Sequence, residues 1–400
     1  MIRSSKHILK FQTEKKSNYL ERMIEDFRFD VLNYIQLICS GILPLTNLVP
    51  SSKILPNGII PFGSYKQIIY NHASAIIRSQ IKRAEKRRYK RYKDLYFKYM
   101  KAEKQNNFTS KRYSELRLNP IHRTKYFTVP DLKNISINLD QRFVNVTTNS
   151  KHFDEFISIT TPYLKEGYKN HKIKIKIPIN HHAHSNKFKD WTRKKTIRLR
   201  KENDKYFIDL IYEKEDPITK NYGKTLGIDQ GYKKLLSCSD GQILGSELFD
   251  LYDRISKKVQ KSKSFKRLLI HRDNEINRIC NLLNLDEVKT LIIEDLKNLK
   301  NKSKLFHTVM NKVQRWSYPK TAIKLERLCE ENGIHLIKVN PAYTSQTCSN
   351  CGTVDKTSRN GEEFSCQHCG YLIDADLNAS INILRLGVYS PQCSENFKGN

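Results

Sequence analysis

The chain has 400 residues, 38% hydrophobic and 28% charged, with 72 Lys and Arg against 41 Asp and Glu, for a formal net charge of +31. That composition excludes a wholly disordered polymer and predicts two or three domains, each with its own core. The basic excess suits a polyanionic partner, and nucleic acid fits better than a membrane surface: no run of about 18 apolar residues occurs, and MIRSSKHILKFQ at the N-terminus has no signal-peptide apolar core. Of nine cysteines, four fall between Cys348 and Cys369, while Cys39, Cys238, Cys280, Cys329 and Cys393 are scattered. This pattern suits a reducing compartment with one metal site and not a secreted disulfide framework.

No repeat of fixed period is present. Ser5 to Gln12 reads as a single strand. From Asn18 to Ser40, Tyr19, Met23, Phe27, Val31, Tyr34, Ile35 and Ile38 recur at helical spacing and predict an amphipathic helix. A connector containing Pro and Gly, Gly41 to Gly63, ends it. Neither Pro nor Gly interrupts Ser64 to about Lys104, so a helix of about 60 Å is expected at about 1.5 Å per residue. Its second half, IKRAEKRRYKRYKDLYFKYMK, interleaves aromatic residues with a dense basic run. Such a run is either a solvated face or a phosphate-binding one. With the global charge behind it, Lys82, Arg83, Lys86, Arg87, Arg88, Lys90 and Arg91 are candidate phosphate contacts. Tyr89, Tyr92, Tyr96 or Tyr99 would stack on bases or pack onto the body.

From Lys125 to Glu213 the pattern changes to short alternating segments: KYFTV, ISINL, FVNVTT, KIKIKIPI, TIRLR and YFIDLIYE. They predict a small antiparallel barrel or sandwich. KIKIKI should turn Ile173, Ile175 and Ile177 inward and present Lys172, Lys174 and Lys176 as a basic strand face. HHAH at His181 to His184 has no Cys or carboxylate at ligand spacing and reads as a polar loop. From Lys224 onward strands alternate with helices. TLGIDQGYKKLLSCSDGQIL is strand, turn, strand; Leu248 to Leu285 is helical; VKTLIIEDL is a buried strand. PKTAIKLERLCEENG is a helix closed by Gly333, IHLIKVNP a strand, and DADLNASINILRLG a final helix. This order predicts an RNase H-like layer, a central sheet flanked by helices.

Two groups carry chemistry. Cys348-Ser-Asn-Cys351 and Cys366-Gln-His-Cys369 are CxxC pairs separated by fourteen residues, each followed by Gly352 or Gly370. This is the spacing of two zinc knuckles around one tetrahedral ion. Four thiolates leave no open position for water, so the zinc is structural, and His368 inside the second knuckle is redundant as a ligand. The second group is acidic. Asp229 follows Thr225-Leu-Gly-Ile, Glu294 and Asp295 follow Leu291-Ile-Ile, and Asp374 and Asp376 stand where the chain enters the last helix. A carboxylate at the end of an apolar strand is held rigidly yet reaches open space. Three converging make a hard-oxygen cage for Mg²⁺ or Mn²⁺, and two ions about 4 Å apart activate water and stabilise the leaving 3′ oxygen of a phosphodiester. Taken singly, Asp374 or Asp376 is equally a helix N-cap, Asp229 a turn residue and Glu294 a solvated strand end.

The blocks GIDQGYKKLLSCSDG, LIIEDLKNL, TSQTCSNCG, FSCQHCG and DADLNASINI, together spanning about Lys224 to Leu386, resemble those of TnpB, the transposon-encoded RNA-guided DNA endonuclease family, and of the related compact type V CRISPR effectors and Fanzor proteins. By that resemblance Asp229, Glu294 and Asp376 are the three RuvC-type acids, catalytic and magnesium-binding, and Cys348, Cys351, Cys366 and Cys369 bind the ribbon's zinc. Gln230 stands where the family often has Leu, and Ser380 where a second Ala is usual; neither departure removes a ligand. The family's layout implies an α+β multidomain chain. Residues 1–14 would be the first strand of a wedge β-barrel, 15–118 a helical recognition insertion and 119–220 the rest of the barrel. Residues 221–344 and 373–390 would form the RuvC/RNase H-like nuclease domain, with the zinc ribbon at 345–372 and a tail at 391–400.

The resemblance further implies a guide RNA paired to double-stranded target DNA, a short motif read by protein beside the target, and no membrane. Besides the basic helix and KIKIKI, Arg193, Lys194 and Lys195 of RKKTIRLRK are candidate phosphate contacts. Trp316 is a stacking or core residue. The expected cofactors are two Mg²⁺ (or Mn²⁺) ions and one structural Zn²⁺, and a monomer is favoured. The protein would be cytoplasmic in a prokaryote and nuclear in a eukaryotic relative. The rivals are an RNase H-like transposase or resolvase without guide RNA, a non-cleaving RNA-guided repressor and a zinc-ribbon DNA-binding factor.

Overall fold

The computed structural model describes residues 1–10, 12–46, 48–104, 130–148, 152–296 and 317–389, with side chains given outside 88–104. Readings that fall on KYFTV, on Trp316 and on Cys393 lie outside the described residues. The chain divides into two compact units, residues 2–214 and residue 1 with 215–400.

The first unit opens with β1 (Ile2–Ile8), earlier than the Ser5 to Gln12 reading, because all seven of these residues pair antiparallel with β7 (Lys205–Glu213). Helix α1 (Glu14–Cys39) is capped by Thr13. It buries Leu20, Met23, Ile24, Phe27, Val31, Tyr34, Ile35 and Ile38 on one stripe, each such burial contributing about 1.5–3 kcal/mol. Asp30 lies on that stripe and accepts 2.8 Å hydrogen bonds from the Ile59 and Ile60 amides, pinning the connector to the helix. Helix α2 (Gly63–Lys104) follows, its 42 residues uninterrupted. The described strands after it are β2 (Ser136–Leu139), β3 (Val144–Thr147), β4 (Glu155–Leu164), β5 (Lys172–Ile179) and β6 (Thr192–Glu202), with the short helix α3 (Ala183–Asn186) before β6.

They form two antiparallel sheets, β1-β7-β6-β2 and β3-β4-β5. Asn203 and Asp204 both take positive φ (46° and 59°), a two-residue hairpin turn that matches the strand twist and sets the β6–β7 register. One apolar core joins both sheets to α1 and α2. In β5, Ile175, Ile177 and Ile179 are buried while Lys174 and Lys176 are exposed, as the alternation predicts.

The second unit is built on a five-stranded sheet of order β10-β9-β8-β11-β12: β8 (Lys224–Asp229), β9 (Leu236–Cys238), β10 (Ile243–Leu244), β11 (Val288–Glu294) and β12 (His335–Val339). β8, β11 and β12 run parallel, and β9 and β10 are antiparallel neighbours. The central strands β8 and β11 are buried on both faces, hence their unbroken apolar runs, while the edge strand β12 alternates. Leu291 and Ile293 face a core with α4 (Leu248–Ser256), α5 (Lys263–Cys280) and α6 (Tyr318–Asn332). Ile292 packs in a separate cluster with Ile337, Val339 and Ile383 of α7 (Ala375–Val388). Leu248 to Leu285, expected to be helical, holds two helices. Lys261 takes φ 67°, and Ser262 caps the Phe265 amide (3.1 Å), so the chain stops and restarts between α4 and α5. Three short antiparallel strands, β13 (Arg359–Asn360), β14 (Glu363–Ser365) and β15 (Leu372–Asp374), lead into α7. Among the described residues no helix is long and apolar enough to cross a membrane.

Candidate active site

The register of the second unit delivers its acids to one place. β8 and β11 are parallel neighbours (Leu226 beside Leu291, Ile228 beside Ile293), so their C-terminal residues Asp229 and Glu294 emerge at the same edge of the sheet. Helix α7 is pressed against β8. A Cβ on Gly227 would lie 2.4 Å from the Ser380 carbonyl oxygen and 2.7 Å from the Leu384 amide, so glycine is what allows the approach. That brings the first turn of α7, carrying Asp376, over the sheet edge. Asp229, Glu294 and Asp376 line one cavity of about 420 Å³ with Gln230, Tyr232, Thr344 and Arg359.

Asp374 and Asp376 are placed differently. The Asp374 carboxylate accepts from the Asp376 and Leu377 amides (3.0 Å each), the geometry of a helix N-cap, and pairs with Lys234. Burial pushes its carboxyl up, but the Lys234 ammonium and those amides outweigh this and hold it below the ordinary range. Asp376, 8% exposed, instead turns to the cavity and accepts from the Arg359 guanidinium at 2.8 Å.

The electrostatics are those of a charge cluster short of cations. Burial, then the neighbouring charges of Glu294 and Asp376, push Asp229 up to about 8, partly opposed by Arg359 and the Gln230 amide. Burial also raises Glu294, against a 2.5 Å hydrogen bond donated by the Thr344 hydroxyl. Among the described residues only the four cysteines bring three or more ligand atoms within 4.8 Å of one another, so the three carboxylates are set wider; a cation between them would ease the crowding of charge that raises Asp229.

The four thiols also converge. The Sγ atoms of Cys348, Cys351, Cys366 and Cys369 all lie within 4.8 Å of one another, and the Cys348–Cys369 and Cys351–Cys366 separations are both 3.7 Å. A tetrahedron with Zn–S bonds of about 2.3 Å has edges of about 3.8 Å, so the cluster has the size of a zinc site. Gly352 (φ 78°) and Gly370 (φ 71°) close the two knuckles in a left-handed conformation, their amides bonded at 2.9 Å to the Cys348 and Cys366 carbonyls. His368 is exposed. Elsewhere His182 caps α3 through its side chain, and HHAH forms no metal cluster among the described residues.

Several residues of this region were not singled out from sequence. Asn378 accepts from the Ser349 amide and donates to the Thr347 carbonyl, both at 2.8 Å; Asn382 donates to the Thr344 and Thr347 carbonyls (3.0 and 2.7 Å). Together they bolt the first knuckle to α7. Two asparagines four apart, hence on one face of a helix, are the signal that could have found them. Arg359 carried none, being one basic residue in a loop of a basic chain.

The basic candidates lie in the first unit. Lys82, Arg83, Lys86, Arg87, Lys174, Lys176 and Lys195 are exposed; the side chains of Arg88, Lys90 and Arg91, with Tyr89, Tyr92, Tyr96 and Tyr99, fall outside the described residues. Lys172 is half-buried, 4.3 Å from the Phe62 ring centroid. Arg193 is turned inward onto Glu155 (2.6 Å), and Lys194 pairs with Glu213 (2.6 Å), so part of the charge read from RKKTIRLRK is spent within the unit.

Residues 318–383 match a family model described as Cas12f1-like, TNB domain. The chain is 41% identical over 95 residues to the CRISPR-associated endodeoxyribonuclease Cas12f1 of Sulfoacidibacillus thermotolerans, covering 24% of this chain and 21% of that protein. It is 27% identical over 240 residues to InsQ of Escherichia coli, provisionally named an RNA-guided DNA endonuclease, covering 50% and 58%. Both matches span less than two thirds of the relative's own length. A cryo-EM structure of CasPhi-2 (Cas12j) bound to crRNA and phosphorothioate-DNA superposes with a TM-score of 0.57 at 11% identity, over 97% of this chain and 91% of that one, a likeness of fold alone. With its ribbon and its acids carried on this α+β frame, the chain is similar to TnpB-like proteins and compact type V effectors.

Proposed function

We propose that this chain is an RNA-guided, Mg²⁺-dependent DNA endonuclease that cuts by RuvC-type phosphodiester hydrolysis beside a short motif read by the protein. The observation that carries the reading is the convergence of Asp229, Glu294 and Asp376 on one cavity. The mixed sheet with helices on both faces supports an RNase H-like layer, and the names of the relatives support DNA as substrate and RNA as guide.

Asp229, Glu294 and Asp376 would hold two Mg²⁺ or Mn²⁺ ions, which when bound supply the charge that activates water and stabilises the leaving 3′ oxygen. The protein's part is positional. β8 and β11 fix two carboxylates as neighbours, Thr344 orients Glu294 through its hydroxyl, and Arg359 sets the rotamer of Asp376. Asp374 starts the helix and does not enter the cavity set. The four cysteines would hold one Zn²⁺ with a structural role, keeping the ribbon that carries Arg359 folded. The +31 charge supplies the affinity for RNA and DNA backbone.

The test is purification followed by sequencing of bound RNA, and cleavage of plasmid DNA carrying a sequence complementary to that RNA. Cutting should require Mg²⁺, stop in chelator and vanish in Asp229→Ala. Cutting with no bound RNA would instead mark a transposase- or resolvase-type enzyme, and bound RNA without cutting a non-cleaving binder.

A further inference from the structure

Gln230 immediately follows the first acid, and its own backbone N–H supports the Asp229 carboxylate. The side chain is 3% exposed and lines the same cavity as Asp229, Glu294 and Asp376. Neither its Oε1 nor its Nε2 has a hydrogen-bond partner among the described residues. A carboxamide offers two donors and an acceptor, and burying it unsatisfied opposes folding. An apolar side chain would avoid that cost.

We propose that Gln230 is a substrate-binding residue of the nuclease site, its Nε2 donating to a non-bridging phosphate oxygen of the DNA strand that lies against Asp229. The inference rests on the endonuclease reading above. Its chemical logic is the neutrality of the donor. A phosphodiester presents only acceptors, so the site needs N–H groups beside its carboxylates. A Lys or Arg at position 230 would form an ion pair with Asp229 or Glu294 and compete with the ions those acids are to hold. A carboxamide gives the donor without that competition. Arg359, already engaged with Asp376, cannot fill this role while it holds that carboxylate.

Gln230→Leu separates the proposal from its alternatives. The wild-type protein with its bound RNA, the Leu variant and Asp229→Ala are compared in three measurements: thermal unfolding in EDTA, Mn²⁺ affinity by electron paramagnetic resonance, and the rate of cleavage of a labelled target DNA at saturating Mg²⁺. The expected result is a thermal transition equal to or above wild type, Mn²⁺ affinity within about twofold, and cleavage slower by about tenfold or more, the loss of one hydrogen bond to a charged group. Wild-type cleavage by the Leu variant overturns the proposal. So does a transition lowered by several degrees, because the amide then holds protein, and so does a large loss of Mn²⁺ affinity, because it then serves the ions. A wild-type protein that cuts nothing under conditions where Asp229→Ala is equally silent removes the endonuclease reading itself. That pattern is distinct from active wild type with an equally active Leu variant.

Discussion

Arg359, on the first strand of the cysteine ribbon, and Asp376, in the first turn of α7, are joined by a 2.8 Å charged hydrogen bond, so the ribbon reaches into the acidic cavity. The same ribbon is fastened to α7 by Asn378 and Asn382 through Ser349 and Thr347. Loss of the cluster therefore propagates to an acid it does not touch. Cys348→Ser removes a buried thiolate and should release bound zinc, lower the thermal transition by several degrees and reduce cleavage with it. Metal content by atomic absorption and calorimetry on the same sample check it; an unchanged transition with zinc lost counts against a structural role.

Asp374 and Asp376 are two residues apart and should behave oppositely. Asp374→Ala removes the N-cap of α7, a loss of about 1 kcal/mol, and leaves the cavity carboxylates in place. Its cleavage rate should stay within a few-fold of wild type at a temperature where it is folded. Asp376→Ala, like Glu294→Ala and Asp229→Ala, should abolish cleavage and leave nucleic-acid binding intact. Rate measurements on the pair, with filter binding as control, decide the assignment; a dead Asp374→Ala beside an active Asp376→Ala reverses it.

Gly227 makes the site possible from a distance. A methyl group there would sit 2.4 Å from the backbone oxygen of Ser380, and backbone cannot swing aside as a side chain can. Gly227→Ala should push α7 off β8, destabilising the second unit by about 1–3 kcal/mol. It should also slow cleavage, since the two elements forced apart carry Asp229 and Asp376. Denaturant titration and the cleavage rate of the folded fraction test this; an alanine variant with wild-type stability would show the contact is looser than described.

What the sequence made legible were features with local period or spacing. The stripe of α1, the alternation of KIKIKI and the two CxxC pairs each follow from neighbours within a few turns. The convergence of Asp229, Glu294 and Asp376 could be anticipated because each ends an apolar strand or opens a helix. What escaped depends on partners far along the chain. The pairing of Arg193 with Glu155 turns a basic candidate inward across 38 positions, and the contact of Arg359 with Asp376 exists only once the ribbon folds back on α7. The stop between α4 and α5 escaped because Lys257 to Ser262 contains neither Gly nor Pro, and the left-handed turn falls on Lys261. The orphaned amide of Gln230 is invisible without coordinates, because only burial distinguishes it from a solvated glutamine.

The strongest pH signature belongs to Asp229, whose folded carboxyl is pushed from 3.8 up to about 8 by burial and by the charges of Glu294 and Asp376. A carboxyl raised on folding binds its proton more tightly in the native state. Its contribution to stability is therefore full below the unfolded value, and it is lost as pH rises from about 4 through about 8. The metal-free protein should accordingly melt lower at pH 8 than at pH 5, by on the order of 2 kcal/mol from this group once the water admitted by the cavity is allowed for. Asp229→Asn, neutral throughout, should flatten that slope and raise the transition chiefly at pH 8. Adding Mn²⁺ should stabilise wild type most at high pH, where the carboxylates are charged, and should do far less for the Asn variant. Calorimetry at pH 5, 6.5 and 8, in EDTA and in Mn²⁺, gives the comparison. Equal slopes for wild type and Asp229→Asn in EDTA would mean that the acid at the end of β8 is not the buried, repelled group described here.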